Sequence, residues 1–260
     1  MTRFHIVALV AAVSAGIAFA CHDFVFFGAV IFGFFVVMGL GVAIPQLRLF
    51  GNYICRGSTS KKRVALTFDD GPDPRSTPQL LELLRAEKIP AAFFCIGRKV
   101  EAHPGLAAQI VRDGHLLENH SHKHSYFTNF YTTARLQNEL ALTQAAIKKI
   151  SGAAPGYFRP PVGLSNPNTF RAARSLNLQV IGWTIRSLDT VMADPQKIVA
   201  RIMRGLRPGA IIFSGGPNFS SALICTGDVC VRKRRPSFSQ KVSCMSRAGW
   251  SAGILRASKL

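Results

Sequence analysis

The fold is indicated first by Val64-Ala65-Leu66-Thr67-Phe68-Asp69-Asp70-Gly71-Pro72. Its first five residues are apolar or β-branched, and they predict a buried strand. The two carboxylates that follow are poorly placed for an apolar core, because a buried charge needs a partner. Aspartate next to Gly-Pro is also typical of a turn before a helix. By itself the pair therefore leaves a turn and a chemical role equally open.

Strand-like and helix-like segments alternate from this point to Phe213. Short apolar runs predict further strands at Ala91–Ile96, Leu116–Leu117, Tyr157–Phe158, Leu178–Thr184 and Ala210–Phe213. Helical periodicity predicts helices over Pro78–Lys88, Pro104–Asp113, Thr132–Ile150, Asn168–Leu176 and Pro195–Leu206. This alternation predicts an α/β domain with a parallel sheet, closed as a barrel or open, and helices outside it. The polar clusters follow strands, where parallel α/β folds place active sites.

A second polar cluster runs from Glu118 to His124. His120 and His124 are four residues apart, so on one helical turn they would face the same way. Neutral imidazoles with a carboxylate make a good site for Zn²⁺ or a similar divalent metal. A solvated polar loop is the alternative. His122 is expected to point away from the other two, and it is given no role.

Two more clusters follow later strands. In Arg159-Pro160-Pro161, the prolines stiffen the backbone, and the arginine is suited to holding a carboxylate in a fixed geometry. The run from Gly182 to Asp189 ends a strand with an aromatic residue, Trp183, and an acid. Core packing is the alternative for the tryptophan.

Taken in this order, the clusters resemble the NodB-like polysaccharide deacetylases, carbohydrate esterase family 4, over roughly residues 61–213. The Asp-Asp-Gly-Pro opening, the His120 and His124 pair and the Arg-Pro-Pro run are specific only together. The resemblance implies a distorted (β/α) barrel that removes N-acetyl groups from an amino-sugar glycan. It implies a divalent metal, zinc first, with cobalt or nickel as alternatives. The implied partner is an acetylated glycan, whether chitin-like, peptidoglycan or lipid-linked.

The resemblance also assigns roles to individual residues. Three positions correspond to metal ligands, four to catalytic groups and three to the substrate-binding wall. The metal ligands are Asp70, His120 and His124. The catalytic groups are Asp69 as general base, Arg159 as the residue that orients it, the Val162 N–H as an oxyanion donor and Asp189 as the acid that tunes a catalytic histidine. The substrate-binding wall is formed by Pro160, Pro161 and Trp183.

The family pattern breaks after Phe213. The family supplies the proton for the leaving amine from a histidine just after the final strand, but here Ser214-Gly215-Gly216 follows, and no histidine occurs after His124. Residues 214–260 show no periodicity that would complete a barrel. The barrel is therefore expected to be incomplete at its C-terminus and the activity impaired. The tail is either the product of a reading-frame change near Phe213 or a genuine basic extension. A catalytically inactive, membrane-tethered glycan-binding protein is the alternative function.

Two apolar stretches, Ile6–Cys21 and Phe24–Ile44, open the chain. At about 1.5 Å per residue, the second is long enough to cross a bilayer of roughly 30 Å. A cleaved signal peptide, a hairpin of two helices and a single uncleaved anchor remain open. Basic residues after the second stretch favour a hairpin with a cytoplasmic catalytic domain, since positive charge stays inside. The protein is expected at a bacterial-type inner membrane, with the side of the domain undecided.

Four regions are expected along the chain: a membrane-anchoring segment at 1–45, a linker at 46–60, the deacetylase domain at 61–213 and an atypical basic tail at 214–260. The chain has 32 Lys and Arg against 13 Asp and Glu, a net charge of +19. Because no nucleic-acid-binding motif accompanies this charge, an acidic membrane surface or an anionic glycan is favoured over nucleic acid.

Overall fold

The computed structural model describes residues 2–60, 62–192, 194–215 and the backbone of 251–252. The helices are α1 Arg3–Ala20, α2 Phe24–Ala43, α3 Thr77–Ala86, α4 Gly97–Ala102, α5 Pro104–Arg112, α6 Thr133–Ser151, α7 Pro167–Ser175 and α8 Pro195–Gly205. The strands are β1 Arg63–Gly71, β2 Ala92–Cys95, β3 Leu116–Asn119, β4 Tyr157–Phe158, β5 Gln179–Val180, β6 Ile185–Arg186, β7 Ile211–Ser214 and β8 Ser251–Ala252.

All strand pairs are parallel, in the order β5-β4-β3-β2-β1-β7-β6, and β8 pairs with the start of β1. The chain first builds outward from β1 to β5 and then adds β7 and β6 on the other side of β1. The prediction of a distorted, incomplete barrel is confirmed: the sheet is a curled half-barrel with helices. Because the strands are parallel, their carboxyl ends lie along one edge, where the polar clusters meet.

The main core lies between the sheet and the helices that connect its strands. Val64, Leu66 and Phe68 of β1 pack in the same cluster as Leu81 of α3 and Ile198 of α8, and all are buried. Each such side chain contributes about 1.5–3 kcal/mol through burial. The apolar face of β1 is therefore packed against the helices, and the end of the strand is a rigid support for the two aspartates.

The structure differs from the predicted elements in two ways. The strand expected over Leu178–Thr184 ends at Val180, and a separate strand starts at Ile185. Gly182 lies between them, against the side chains of Cys55 and Pro45. This tertiary contact interrupts the strand that the apolar pattern predicted. The short helix α4 was not predicted, because its six residues, three of them charged, are too few to show a period.

The N-terminal helices α1 and α2 form a hairpin around Cys21–Asp23. Asp23 caps α2 by accepting a hydrogen bond from the Phe26 N–H at 2.9 Å. At the open end, Arg3 Nη1 donates to the Leu47 carbonyl at 2.9 Å, which places both open ends on the same side. Both helices are long and apolar enough to cross a membrane. This arrangement matches the hairpin among the three expected alternatives.

The segment 46–60, expected to be a linker, packs on the sheet. Four of its residues are buried: Leu49, Phe50, Tyr53 and Cys55. Ile54 forms a parallel bridge with Ile181, and Arg56 an antiparallel bridge with Ala210. The end of the hairpin is thus fixed to the α/β domain by backbone pairing and apolar contact.

Candidate metal centre and active site

A bulge at the end of β1 brings both aspartates to one site. In a regular strand, neighbouring side chains point to opposite faces. Here the pairing with β2 shifts between Asp69 and Gly71, and Asp70 has φ +66°. Aspartate tolerates this left-handed conformation better than most residues. As a result Asp69 Oδ2 and Asp70 Oδ1 lie 3.7 and 3.5 Å from the same atom, Nε2 of His120.

The histidine pair is carried by a loop after β3, so the helical turn assumed from the spacing is wrong. Ser121 and His124 have φ of +62° and +52°, which no α-helix allows. Hydrogen bonds inside the loop hold this shape: Ser121 N–H donates to Asn119 Oδ1 at 2.9 Å, and His124 N–H donates to Ser121 Oγ at 3.2 Å. The loop, and not helical periodicity, turns both imidazoles toward Asp70.

Asp70, His120 and His124 offer one ligand atom each, all within 4.8 Å of one another. Asp70 Oδ1 lies 3.1 Å from His124 Nε2, is buried, and accepts no hydrogen bond from the described residues. His120 Nδ1 pairs with the Arg159 carbonyl at 2.7 Å. Since a carbonyl only accepts, Nδ1 carries the proton, and the Nε2 lone pair is left for a metal. The orphaned carboxylate oxygen and two imidazole nitrogens fit a divalent cation such as Zn²⁺.

The charges around this triad keep its atoms suited to ligation. Burial raises the pKa of Asp70, but the neighbouring His120 and His124 imidazoles, together with Lys99, outweigh it and hold that pKa below its usual value. Burial and the neighbouring His120 lower the pKa of His124 to about 4. At neutral pH His124 is therefore an uncharged imidazole beside an ionised carboxylate.

Asp69 is held by Arg159 in the interior. Arg159 Nη1 donates to Asp69 Oδ1 and to Thr67 Oγ1, both at 2.7 Å, and Nη2 donates to the Gly182 carbonyl at 3.0 Å. The guanidinium also lies 4.2 Å above the ring of Phe94. Burial raises the pKa of Asp69, and the charges of Arg159 and His120 oppose that rise. This is a carboxylate fixed in direction, with one oxygen toward the metal triad.

The loop after β4 is strained at Val162. Its φ of +59° is rare for a β-branched residue, and such strain is found mostly at functional sites. No acceptor for its N–H occurs among the described residues. Pro160 and Pro161, which precede it, are buried. They stiffen the loop and expose little surface to a substrate. The N–H of Val162 is thus free to donate to a ligand.

Trp183 forms a buried wall next to this loop. Its ring stacks on Phe213 with 5.0 Å between centroids, and it is 9% exposed. A Cβ at Gly163, which has φ +75°, would lie 2.2 Å from Trp183 Cη2. Only glycine therefore allows the loop and the tryptophan to pack this closely.

Asp189 lies in a separate hydrogen-bonded cluster. It accepts from the Ser187 hydroxyl, from Ser214 Oγ at 2.9 Å and from the Gly215 N–H at 3.4 Å. Gly215 stands where the family pattern puts its histidine. A serine hydroxyl and a backbone N–H therefore contact the acid that was expected to tune that histidine.

The structure brings five expected residues together: Asp69, Asp70, His120, His124 and Arg159. His122 turns instead toward Glu101, with Nε2 3.7 Å from its carboxylate. Sequence reasoning missed three supporting side chains, Thr67, Lys99 and Ser214. Lys99 Nζ donates to the Asp70 carbonyl at 2.7 Å and so supports the left-handed bend. Lys99 lies on the unpredicted helix α4, so no pattern in the sequence pointed to it.

Comparisons with known proteins show which proteins this chain is similar to. The family model described as polysaccharide deacetylase matches residues 56–181. A peptidoglycan-N-acetylglucosamine deacetylase of Bacillus cereus is 31% identical over 183 residues, which cover 69% of this chain and 85% of that protein. A second protein of that name from the same organism is 29% identical and covers 62% of this chain, while the chain spans only 58% of its length.

A solved structure with a similar fold was also found. It is a mutant of a CE4 family pseudoenzyme from Bacillus anthracis with restored enzymatic activity. It is 25% identical, with a TM-score of 0.68, and the match covers 78% of this chain and 70% of the other. Fold, order of motifs and relatives agree, and the chain belongs to the polysaccharide deacetylase family.

Proposed function

We propose that this chain is a metal-dependent hydrolase that removes N-acetyl groups from an amino-sugar glycan. The single observation that carries the proposal is the convergence of the Asp70, His120 and His124 ligand atoms beside Asp69, which Arg159 orients. The two Bacillus cereus relatives, named as peptidoglycan-N-acetylglucosamine deacetylases, support an acetylated glycan as substrate.

Asp70, His120 and His124 would hold the metal, zinc by the chemistry of the donor set, with cobalt or nickel as alternatives. A bound divalent metal would act as a Lewis acid and lower the pKa of water. Asp69 is placed to accept a proton from the attacking water as general base. Arg159 keeps that carboxylate fixed in direction, and the Val162 N–H would stabilise the oxyanion that develops on the acetyl group. Trp183 would line the sugar site.

A second candidate function is a catalytically inactive glycan-binding protein. The specific observation in its favour is that Asp189 is contacted by Ser214 and Gly215, with no histidine available to protonate the leaving amine. General acid catalysis contributes about 10²–10⁴-fold, so its loss slows turnover without removing the metal or the glycan site.

We also infer that α1 and α2 anchor the chain in a membrane as a hairpin. Their exposed side chains are nearly all apolar, and the hairpin turn contains the only acidic residue before Asp69. The basic residues after α2 favour the cytoplasmic side of the membrane for the domain.

Acetate release from N-acetylglucosamine oligomers, peptidoglycan fragments and a lipid-linked amino sugar separates the two functions. We expect release by the Zn²⁺-loaded chain that disappears after chelation. Glycan binding without release, with metal bound, would identify the inactive binding protein instead.

A further inference from the structure

We propose that the active site opens onto the membrane surface, and that the substrate is an acetylated amino sugar carried on a membrane lipid. The inference rests on the proposed anchor and deacetylase site, and it selects one substrate class from those the family resemblance left open.

The first support is a direct contact between the end of the hairpin and the active-site wall. Pro45 and Gln46 follow α2 by only two and three residues. Gln46 Nε2 donates to the Trp183 carbonyl at 2.8 Å, and the Pro45 side chain lies against Gly182. The Gly182 carbonyl accepts from Arg159, which holds Asp69. Three contacts thus join the membrane end of α2 to the general base.

This contact fixes the orientation of the domain. Gly182 and Trp183 follow β5, so the hairpin ends at the carboxyl edge of the sheet, where Asp69 and the histidine loop also lie. Helix α6 starts at this edge after the histidine loop and runs back over 19 residues, or about 28 Å. The site is therefore close to the membrane, and the loop after α6 is far from it.

The second support is a cluster of exposed aromatic side chains on the same edge. Tyr126, Phe127 and Phe130 follow His124, and they are 79%, 70% and 83% exposed. The Tyr126 ring lies 6.4 Å from that of His124. Aromatic residues exposed to this degree are typical of a membrane interface.

The aromatic cluster is connected to the hairpin end through α7. The Asn129 and Tyr131 carbonyls accept from the side chains of Asn166 and Asn168, at the start of that helix. Phe170, one turn further on, packs edge-on against Tyr53 with 5.1 Å between ring centroids. Two independent features therefore lie on the same face, one entering the bilayer as helices and the other exposing apolar rings.

A site held at this surface has poor access to a long polymer in solution and good access to a sugar presented by a lipid. Confinement to the same surface also raises the effective concentration of a lipid-linked glycan. The exposed Arg48 near the hairpin end suits the phosphate groups of anionic lipids.

The orientation is tested with two matched variants at opposite ends of α6, Phe130→Trp and Ala153→Trp, each as the full chain in phosphatidylcholine–phosphatidylglycerol vesicles. Brominated acyl chains quench a tryptophan that reaches roughly 5–10 Å into the interface. After subtraction of the parent spectrum, we expect strong quenching of the tryptophan at position 130 and none of that at position 153. Equal quenching at both positions, or none at either in vesicle-bound chain, overturns the inference.

The substrate class is tested on the same vesicles by titration of Trp183 emission in the Asp69→Asn variant, with Trp250→Phe added so that Trp183 is the remaining tryptophan. The probes are an N-acetylglucosamine oligomer on a polyprenyl lipid and the same oligomer free in solution. We expect half-saturation at a total sugar concentration at least about tenfold lower for the lipid-linked form. Equal half-saturation overturns the lipid-linked substrate. A chain that fails to float with vesicles overturns the anchor, and a chain that binds neither glycan overturns the deacetylase site, so the three failures are distinguishable.

Discussion

Arg159 donates from Nη1 to Oδ1 of Asp69 at 2.7 Å, and the two side chains are 1% and 3% exposed. The guanidinium and the carboxylate are therefore paired in the interior, where solvent does not take the place of either partner. The same guanidinium spans from Thr67 on β1 to the Gly182 carbonyl, so one side chain fixes the base and the wall against which the hairpin ends.

Arg159→Lys tests this arrangement. Lysine keeps the charge but loses the planar fork, so Asp69 is no longer held in one direction. We expect kcat to fall by about 10²-fold, since a small misplacement of a catalytic group has that effect. Because Arg159 opposes the raised pKa of Asp69, a weaker contact raises that pKa further, and the acid limb of the pH–rate profile moves to higher pH. Arg171→Lys, at an exposed arginine of α7, is the control and leaves the profile unchanged.

The metal triad is tested by thermal stabilisation. Zn²⁺ at 100 times its Kd stabilises a single site by about 2.7 kcal/mol, which raises Tm measurably. We expect this rise for the parent chain and for His122→Ala, and its loss in His124→Ala. The two histidines share one loop, but only His124 points at Asp70. A rise of equal size in both variants would place the metal elsewhere.

The Glu118 carboxyl is expected to make the stability of the fold depend on pH. This effect is separate from catalysis. Its carboxyl is 5% exposed, accepts from the Tyr157 N–H at 2.8 Å, and burial raises its pKa to about 7. A raised pKa in the folded state means that the unfolded chain loses its proton first. The stability that neutral Glu118 contributes is present below about pH 4.5 and lost as pH rises toward 7.

Glu118→Gln removes this titration and keeps the acceptor oxygen. Between pH 4.5 and 8 the parent chain should lose roughly 3 kcal/mol that the variant retains. The measurement is Tm against pH for both chains, with the exposed Glu82→Gln as control. Parallel curves for the parent and Glu118→Gln would show that the glutamate is ionised throughout.

The missing proton donor is tested by Gly215→His. A Cβ at Gly215 would lie 2.8 Å from Phe213 Cζ, so the ring must move to admit the new side chain. We therefore expect a small gain in acetate release from Gly215→His and a larger one, about 10²-fold, from Gly215→His with Phe213→Leu. Phe213→Leu alone is the control and gains nothing. Failure of the double variant, with metal bound, would mean that another group protonates the amine.

The sequence predicted those parts of the site that depend on local pattern. The apolar run before Asp69 indicates a buried strand, and polar residues after strands of a parallel sheet indicate the catalytic edge. The bulge that turns Asp70 toward His120 was not predictable, because it depends on the pairing with β2. The same holds for the loop of His124, whose left-handed residues are held by side-chain hydrogen bonds.

The packing of residues 46–60 on the sheet was also not predictable from the sequence. Its apolar residues show no strand or helix period, and their burial depends on Ile181 and Phe170, more than a hundred residues away. The prediction of an atypical tail falls on residues 214–260, of which only 214–215 and the backbone of 251–252 lie within the described structure. That prediction, like the domain boundaries, stays a prediction.

The central claim is a three-ligand metal site beside an oriented base, and one measurement tests it most directly. Zinc content and acetate release are determined on the same samples of the full chain, Asp69→Asn and Asp70→Asn. We expect that Asp69→Asn keeps its zinc and loses acetate release, whereas Asp70→Asn loses both. Acetate release by Asp69→Asn at the rate of the parent chain, or zinc retained in full by Asp70→Asn, would contradict it.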